Sequence, residues 1–391
     1  MISLHQAKAE VKIEGTLHME IANKMETTQT SEKKTFINKE NLRNLFFSSI
    51  RVLISVVLLS IVLFFTKTPY MFQSPGSCNN TSLFVFTGNS GQEDNPDQGG
   101  FYLTTVIYER ANVLFFIMGI MDKNSELIPI EVKEDKDDKH RNNIMHQQME
   151  NSKDKAKIAA FSAMGFDVKA KKGPVEIIGL ASWSKGIDFL QQGDIILEID
   201  GIKIESDEHL IDEIKDKSPN SSVNLTILRK SGESEEIIHG EVPLTLNQNQ
   251  WKIGIHVMSQ YKDIELPIPV NIDSGNVVGS SAGLMFSLEI IRQVSGINIT
   301  GGKKIAGTGS IDEEGKVHTV EGIKFKVIAA EDKNCEYFFC PEKNYHEAAA
   351  QAKSIKVIPV KDLEDALKQL KKINPHIDYD GINKQNISKN N

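Results

Sequence analysis

The chain has 391 residues, a length that accommodates two or three domains of ordinary size. Its composition is 40% apolar and 25% charged, which is typical of folded protein and excludes a mainly disordered chain. The formal charge of −8 argues against a nucleic-acid-binding protein, which normally presents a basic surface. The 3 cysteines are too few for a disulfide scaffold and lack zinc-type spacing, so neither a structural metal nor a cofactor is expected.

An apolar segment near the N-terminus, Leu45 to Phe65, contains one charged residue, Arg51. As a helix with about 1.5 Å of rise per residue it is about 31 Å long, which matches the hydrocarbon core of a bilayer. The unbroken apolar run favours a membrane-crossing helix over a buried core helix. We therefore predict a transmembrane anchor over residues 44–66, in contact with membrane lipid and with no small-x-small cleavage site after it.

The cations around this segment predict its orientation. Lysine and arginine recur between residues 33 and 43, whereas on the other side only Lys67 lies close. The positive-inside rule then places residues 1–43 in the cytoplasm as a tail and everything after residue 66 outside the cell. The sequence thus predicts a single-pass protein of the cell membrane with an extracellular folded part.

Residues 67–165 are predicted to form an extracytoplasmic stalk, a β-hairpin and a helix. The stalk, 67–99, is rich in proline, glycine, serine and asparagine, which predicts little packing. Two β-branched and aromatic runs, Phe101–Ile107 and Val113–Gly119, are separated by a short polar break, which predicts the hairpin. A helix is expected from about Lys139 to Met164. Because the hairpin comes before the next domain, we expect that it completes the sheet of the C-terminal domain, which makes the domain between them an insertion.

Residues 166–245 show the pattern of a small β domain. The segment GDIILEIDG (193–201) is a strand closed by an Asp-Gly turn, and a helix is expected from Ser206 to Lys217 with Ser206 as its N-cap. Two further strands pair across a turn at Lys230–Gly232. In this order the motifs resemble a PDZ domain, with GDIILEIDG as the most specific part.

A PDZ domain binds an extended peptide as an added strand. The resemblance places the loop that accepts the peptide carboxylate at Gly173 and Pro174, and the groove strand at Val175–Leu180 with Val175 and Ile177 in contact with the peptide. A PDZ-like module that serves only for packing is the alternative.

Residues 250–372 carry the chemistry as a series of ordered motifs. They are SSAG (280–283), TGSI (308–311), GKV (315–317) and GIKFKVIAA (322–330). An apolar helix follows the first motif and receives its stop signal from Gly296.

These motifs resemble the proteolytic domain of Lon, a serine–lysine peptidase. With the anchor and the PDZ domain, the chain resembles the membrane-anchored PDZ–Lon proteases of Gram-positive bacteria over about residues 45–370; FYLTTV (101–106) and SAGLMFSLEI (281–290) are further matches. The resemblance implies an α/β fold with a single N-terminal transmembrane helix, a PDZ domain and a Lon-type mixed α/β proteolytic domain at 250–372. A disordered tail is predicted at 373–391.

The resemblance also assigns roles to individual residues. Ser281 matches the nucleophile, Lys326 matches the general base, and Thr308 matches the residue that hydrogen-bonds the base. Gly279 and Ala282 support the site from the same loop as Ser281. A serine hydroxyl needs an adjacent base, and a lysine acts as one when burial lowers its pKa, for which the apolar neighbours of Lys326 provide the setting.

Several alternatives stay open from the sequence. Lys324 is an alternative general base to Lys326, because the helix that carries both lysines is apolar nearly all round and its periodicity does not separate them. The family register favours Lys326. Ser280 replaces the proline usual in Lon sites and adds a second hydroxyl. Glu321 replaces a usual glycine, and a carboxylate close to Lys326 would raise the pKa of the base. Because of Ser280 and Glu321, a rival interpretation stays open. In it the protein is a catalytically dead scaffold that binds peptides through its PDZ domain.

A Ser–His pair through His318 or His346 is disfavoured because no motif places an acidic partner beside either histidine. Pairing of Cys335 with Cys340 is left open.

The predicted function is an ATP-independent serine endopeptidase that cleaves extracytoplasmic peptides or membrane-protein segments, with the PDZ domain capturing or gating the substrate. Glu314–Val317 is a near miss to a phosphate-binding loop, since it lacks the first glycine and the hydroxyl residue. ATP and nucleic acid are therefore not expected as partners, and the substrates are expected to be peptides or unfolded proteins. The resemblance also implies a homo-oligomer in the form of a hexameric ring.

Overall fold

The structure is a computed structural model, and it describes residues 3–88, 99–130, 138–181, 183–215, 217–218, 221–232, 234–247 and 250–383. The chain forms two units: the first comprises Met1–Thr68 and Asn112–Leu114, and the second comprises Pro69–Ala111 and Phe115–Asn391.

The helices and strands are numbered in chain order. The helices are α1 (Ser3–Phe65), α2 (Val113–Met121), α3 (Asp138–Ala163), α4 (Asp207–Lys215), α5 (Gly283–Ser295), α6 (Ile323–Asp332), α7 (Tyr345–Gln351) and α8 (Leu363–Ile373). The strands are β1 (Lys67–Asn80), β2 (Val85–Thr87), β3 (Gly100–Asn112), β4 (Glu126–Pro129), β5 (Lys169–Leu180), β6 (Ile195–Ile199), β7 (Ile202–Lys203), β8 (Ser222–Ser231), β9 (Ser234–Pro243), β10 (Thr245–Asn247), β11 (Gln250–Lys252), β12 (Ile255–Glu265), β13 (Val270–Ile272), β14 (Lys304–Gly307), β15 (Ser310–Ile311), β16 (Val317–His318), β17 (Tyr337–Pro341) and β18 (Lys356–Val360).

The long helix α1 contains the predicted membrane segment. Within it, Leu42–Phe65 is long and apolar enough to cross a membrane, and this stretch is not buried inside the protein. The helix already begins at Ser3, so the stretch predicted as a cytoplasmic tail has regular secondary structure.

A six-stranded sheet in the order β18-β17-β14-β3-β1-β4 is the framework for the candidate site. Strands β3, β14, β17 and β18 run parallel, and β4 pairs antiparallel with β1 at the edge. Successive residues alternate between the two faces of a strand. Accordingly Phe101 packs in a core with α3, α5 and α8, while its neighbour Tyr102 packs with α6 and α7.

The first correction concerns the predicted stalk. Residues 67–80 form strand β1 inside the sheet, with Met71 and Phe72 buried, so this stretch packs rather than hanging free. Gly76 is required in this strand by the close approach of β3, because a Cβ there would lie 2.4 Å from Thr105 Oγ1.

The predicted hairpin is also wrong. Residues 100–112 form strand β3, but Val113–Met121, predicted as the partner strand, is helix α2. A strand and a helix cannot be distinguished by period in an apolar run that does not alternate with polar residues. In the structure this run is a helix. Helix α3, by contrast, confirms the helix predicted from Lys139 to Met164.

The C-terminal stretch 373–391 is not wholly disordered. Ile382 is buried, and Tyr379 donates its hydroxyl to the Ile299 carbonyl at 3.0 Å. This segment therefore closes one side of the core, and residues 384–391 lie outside the described part of the chain.

A second sheet, in the order β12-β5-β6-β8-β9 with β7 paired to β6, contains the predicted PDZ strands. Its core includes Ile177, Ile196 and Leu225 from the strands and Leu210 from α4. The predicted N-cap of α4 is confirmed, since the His209 backbone N–H donates to Ser206 Oγ at 3.1 Å.

Candidate active site

Three separate elements bring the candidate catalytic side chains together. Ser281 lies two residues before α5, Thr308 follows β14, and Lys326 lies in the first turn of α6. Helices α5 and α6 belong to the cores on opposite faces of the sheet. The residues from these elements therefore meet at the carboxyl end of β14.

The lysine amine is the centre of the hydrogen-bond network. Lys326 Nζ lies 2.7 Å from Ser281 Oγ, 3.0 Å from Thr308 Oγ1 and 3.5 Å from the Thr104 carbonyl oxygen. Thr308 Oγ1 donates to the Ser281 carbonyl at 3.0 Å. The Thr308 hydroxyl thus connects the backbone of the serine loop to the lysine.

Burial sets the electrostatics of Lys326, which is 4% exposed. An apolar setting disfavours the charged ammonium form, and this desolvation lowers the pKa of Lys326 from 10.5 to about 8. Among the described residues no carboxylate forms an ion pair with Lys326, and Glu321 is exposed to solvent. The amine is therefore neutral in a substantial fraction of molecules near pH 8.

The structure separates the competing residues. Lys324 Nζ points to Glu126 Oε2 at 2.5 Å and lies over the Phe325 ring, so Lys324 is not the lysine beside Ser281. Of the two serine hydroxyls, the one within hydrogen-bond distance of Lys326 is that of Ser281, while the described contact of Ser280 is a hydrogen bond from α3 to its backbone carbonyl. His318 is exposed, and its ring nitrogen Nε2 lies 2.7 Å from Asp312 Oδ2; among the described hydrogen bonds, its ring makes none with a serine hydroxyl.

Helix α3 holds the serine loop, a role that the sequence did not predict. The Met145 carbonyl accepts a hydrogen bond from the Gly279 N–H at 2.9 Å, and Ser152 Oγ donates to the Ser280 carbonyl at 3.0 Å. Gly279 has a positive φ of 86°, which other residues adopt only with strain. The loop is thus fixed by contacts more than a hundred residues away in sequence, for which the sequence holds no local signal.

Backbone donors lie next to the nucleophile candidate. In the described part of the chain, the N–H groups of Ser281 and Ala282 donate no hydrogen bond, and both precede the first residue of α5. Free N–H groups at a helix N-terminus are suited to a negatively charged oxygen.

In the structure, the thiol next to Cys335 is that of Cys78. Cys335 Sγ lies 4.0 Å from Cys78 Sγ in β1, and Cys340 is buried elsewhere in the same core. All three are free thiols. Cys78, rather than Cys340, is therefore the neighbouring thiol of Cys335.

The predicted peptide groove of the PDZ domain differs from the structure. Gly173 and Pro174, predicted as a loop, lie within the continuous strand β5, at a bulge where these two residues fall between the pairs Lys172–Tyr261 and Val175–Ser259 and β12 has only one residue. Strand β12 pairs with β5 along one edge, with Val257 opposite Ile177. On the other edge, β6 pairs Ile196 with Val175.

Neither edge of β5 is therefore open at Val175–Ile177, and the position predicted for an added peptide strand is taken by the chain's own β12. Helix α4 also contacts β12, so this strand lies between the groove strand and the helix. The sequence showed the PDZ pattern but not the partner strand, which follows the domain in the chain.

We expect free peptides not to bind at this groove. Adding peptides with apolar C-termini to the full-length protein, up to about 1 mM, should leave β12 paired with β5, because binding at the groove would have to displace β12. Hydrogen exchange should show protected amides at 255–259 that peptide does not change. Saturable binding together with lost protection at 255–259 would contradict this expectation, and binding without such loss would place the peptide elsewhere.

Comparison with known families agrees with this domain arrangement. Residues 162–237 match the model of the PDZ domain, and residues 242–372 match that of the Lon protease (S16) C-terminal proteolytic domain. Among curated proteins, the Lon protease of Trichlorobacter lovleyi is 31% identical over 110 residues, and that of Neorickettsia sennetsu is 30% identical over 110 residues. Each match covers 27% of this chain, which spans only 13% of the length of these relatives.

Solved structures resemble the PDZ part. The PDZ domain of an SdrC-like protein from Listeria monocytogenes is 28% identical, covers 22% of this chain and 86% of that chain, and has a TM-score of 0.19. The corresponding domain from Listeria innocua is 27% identical, with 22% and 92% coverage and a TM-score of 0.19. Since these TM-scores are low, the domain assignments rest on the family models: the chain contains a region that matches the PDZ domain and a region that matches the Lon proteolytic domain, and its N-terminal helix includes one stretch long and apolar enough to cross a membrane.

Proposed function

We propose that this protein is a serine endopeptidase in which Ser281 is the nucleophile and Lys326 is the general base. The observation that carries the proposal is the 2.7 Å distance between Lys326 Nζ and Ser281 Oγ, in a site where burial lowers the pKa of the lysine to about 8. A general base must lie within hydrogen-bond reach of the proton it removes, and its pKa should lie near the working pH.

The hydrogen-bond pattern orients the base. A neutral amine has two N–H donors and one lone pair. Thr308 Oγ1 already donates to the Ser281 carbonyl, so towards Lys326 it accepts, and the Thr104 carbonyl is the second acceptor. The lone pair is then left for the Ser281 hydroxyl proton.

The reaction follows from this arrangement. Lys326 takes the proton as Ser281 Oγ attacks the peptide carbonyl carbon, and the N–H groups of Ser281 and Ala282 stabilise the oxyanion. The resulting ammonium gives its proton to the leaving amine, which produces the peptide's new N-terminus and an acyl-enzyme. A water molecule, deprotonated by the same lysine, then hydrolyses the ester and regenerates Ser281.

We further propose where the protein lies in the cell and which substrates it cleaves. Residues 44–66 would anchor the protein in the cell membrane as a single pass with a cytoplasmic N-terminus, which the positive charge before the segment supports. Cleavage would be ATP-independent and would act on extracytoplasmic peptides, unfolded proteins or membrane-protein segments. A homo-oligomeric ring, as the Lon resemblance implies, belongs to the same proposal.

The domain division is also part of the proposal. Since β1 and β3 lie in the sheet of β14, β17 and β18, we assign residues before the PDZ domain to the proteolytic domain, with the PDZ as an insertion. Of the two predicted PDZ roles, gating fits better than capture, because β12 occupies the groove. Lys172 of β5 forms an ion pair with Glu313 in the turn before β16, which connects the PDZ sheet to the proteolytic domain.

Incubation of the purified full-length protein with unfolded casein in detergent micelles, without nucleotide, tests the proposal. We expect peptide release that added ATP does not increase. A scaffold with a dead site would retain casein without cutting it, and cleavage that appears only with ATP would remove the ATP-independent part of the proposal.

Thr308→Val should lower kcat/KM by about 10- to 100-fold, because the buried amine loses an acceptor and the Ser281 carbonyl loses a donor. The ammonium form loses more stabilisation than the neutral form, so the pH at half-maximal kcat/KM should move below that of the wild type. Thr308→Ser, which keeps the hydroxyl, is the matched control and should restore both values. A reduced rate with an unchanged pH profile in Thr308→Val would argue for a merely structural effect.

A further inference from the structure

Helix α2 has an unusual surface for a folded domain. Its sequence, VLFFIMGIM, is apolar throughout, yet no residue in it is buried. Ile120 is 67% exposed and Met121 is 79% exposed. Large contiguous apolar surfaces on folded proteins mark sites of contact with another protein or a membrane.

The helix is fixed on the sheet by its opposite side. Phe115 stacks on Phe72 with ring centroids 5.1 Å apart, and Phe116 packs against Tyr70 at 5.1 Å. Gly119 allows close contact with β4, because a Cβ there would lie 2.6 Å from Leu127. Strands β1 and β4 thus hold α2 firmly.

The exposed side of the helix follows from its period. With Phe115, Phe116 and Gly119 against the sheet, the opposite face is formed by Ile117 and Met121, which are one turn apart. Met118 and Ile120 flank them, and all four are exposed. This apolar face, Ile117, Met118, Ile120 and Met121, carries no charge.

Chain connectivity indicates what covers this face. The apolar span of α1 ends at Phe65, and Tyr70, which contacts Phe116, follows it by five residues. Five extended residues reach at most about 18 Å. If the span crosses a bilayer, the strand that supports α2 therefore begins within reach of the lipid headgroups.

We propose that α2 is a second membrane contact, which inserts its apolar face into the boundary between headgroups and acyl chains. A helix that lies in the plane of the membrane buries its apolar face about 5–10 Å into this boundary. In α2 the opposite face is covered by β1 and β4, where an isolated interfacial helix would have polar side chains. The inference rests on the proposed transmembrane anchor. It adds a contact that would hold the β1–β4 edge of the sheet against the bilayer.

The test uses the full-length protein in vesicles of phosphatidylcholine and phosphatidylglycerol, with an environment-sensitive dye on a single introduced cysteine. Met121→Cys places the dye on the apolar face, and Ile117→Cys repeats the measurement one turn away. Ile237→Cys is the control, since Ile237 is 59% exposed on β9 of the PDZ sheet. The three native cysteines are buried and should not react.

We expect dye at positions 117 and 121 to be quenched at least about 3-fold more by spin-labelled lipids than dye at 237. Equal, weak quenching at all three positions would overturn the inference, provided that the protein resists alkaline extraction from the vesicles. Cross-linking between copies through position 121, without lipid quenching, would also overturn it and assign the face to a second copy. Extraction of the protein at alkaline pH would instead overturn the anchor on which the inference rests.

Discussion

Ser281→Ala is expected to lower kcat/KM on an unfolded substrate by at least about 1,000-fold. The substitution removes the oxygen that lies 2.7 Å from Lys326 Nζ, and no other hydroxyl bonded to this amine can form an acyl-enzyme in its place, because Thr308 Oγ1 is buried. Loss of a nucleophile removes a whole reaction path rather than one favourable contact, which accounts for the large effect. Initial rates on a quenched fluorescent peptide and on casein measure it.

Ser280→Ala is the matched control, because it removes a neighbouring hydroxyl of the same size. The described contact of Ser280 with Ser152 is made by the backbone carbonyl, which alanine retains. We therefore expect kcat/KM within about 3-fold of the wild type. If Ser280→Ala were inactive and Ser281→Ala active, the nucleophile would be assigned to the wrong serine. Equal cleavage by both variants and the wild type would leave no role for either hydroxyl.

The candidate site was predictable where local sequence determines it. Ser281 lies at the start of a helix with a clear apolar stripe and a glycine stop, and Gly296 ends that helix with a positive φ of 68°. Lys326 lies on an apolar helix, so its burial follows from its neighbours. Periodicity did not distinguish Lys324 from Lys326 and only the family register favoured Lys326, because the pairing of Lys324 with Glu126 is a tertiary contact.

The remaining features depend on contacts between distant parts of the chain. The hydrogen bond from Ser152 to the Ser280 carbonyl joins residues 128 apart, and no periodicity reports such a pair. The polar composition of 67–80 concealed a strand that is held by its neighbours in the sheet. Likewise, the groove strand of the PDZ domain matched its family pattern, whereas its pairing with β12 depends on residues beyond that domain. The ordered motifs and their resemblance to the Lon proteolytic domain thus indicated the chemical groups, whereas long-range pairing determines what supports them.

Lys326→Met is expected to abolish activity and at the same time to stabilise the protein at neutral pH. Methionine is similar in length but provides no base, so kcat/KM should fall by at least about 1,000-fold. Lys324→Met is the control on the same helix. It removes a partly exposed ion pair with Glu126, which contributes little, and should leave the rate within about 3-fold of the wild type.

The pH dependence of the wild type follows from the same burial. The base acts in its neutral form, so kcat/KM should rise with pH and reach half its maximum near the pKa of Lys326, at about pH 8. A profile already flat from pH 6 to 9 would contradict a lysine base, as would activity in Lys326→Met.

The free energy of unfolding, like kcat/KM, should increase with pH. The folded-state pKa of about 8 lies below the ordinary value of 10.5, so between these pH values the unfolded chain binds more protons than the folded one. The free energy of unfolding should therefore increase as pH rises through this window, by up to about 3 kcal/mol, while at lower pH the buried ammonium imposes its full cost.

Lys326→Met removes the cost of burying the ammonium, so at pH 7 the variant should melt at a higher temperature than the wild type, and the difference should shrink towards pH 10. Thermal unfolding of both proteins at pH 7 and pH 10 measures this, and a lower melting temperature for the variant at pH 7 would show that the lysine's hydrogen bonds outweigh its desolvation.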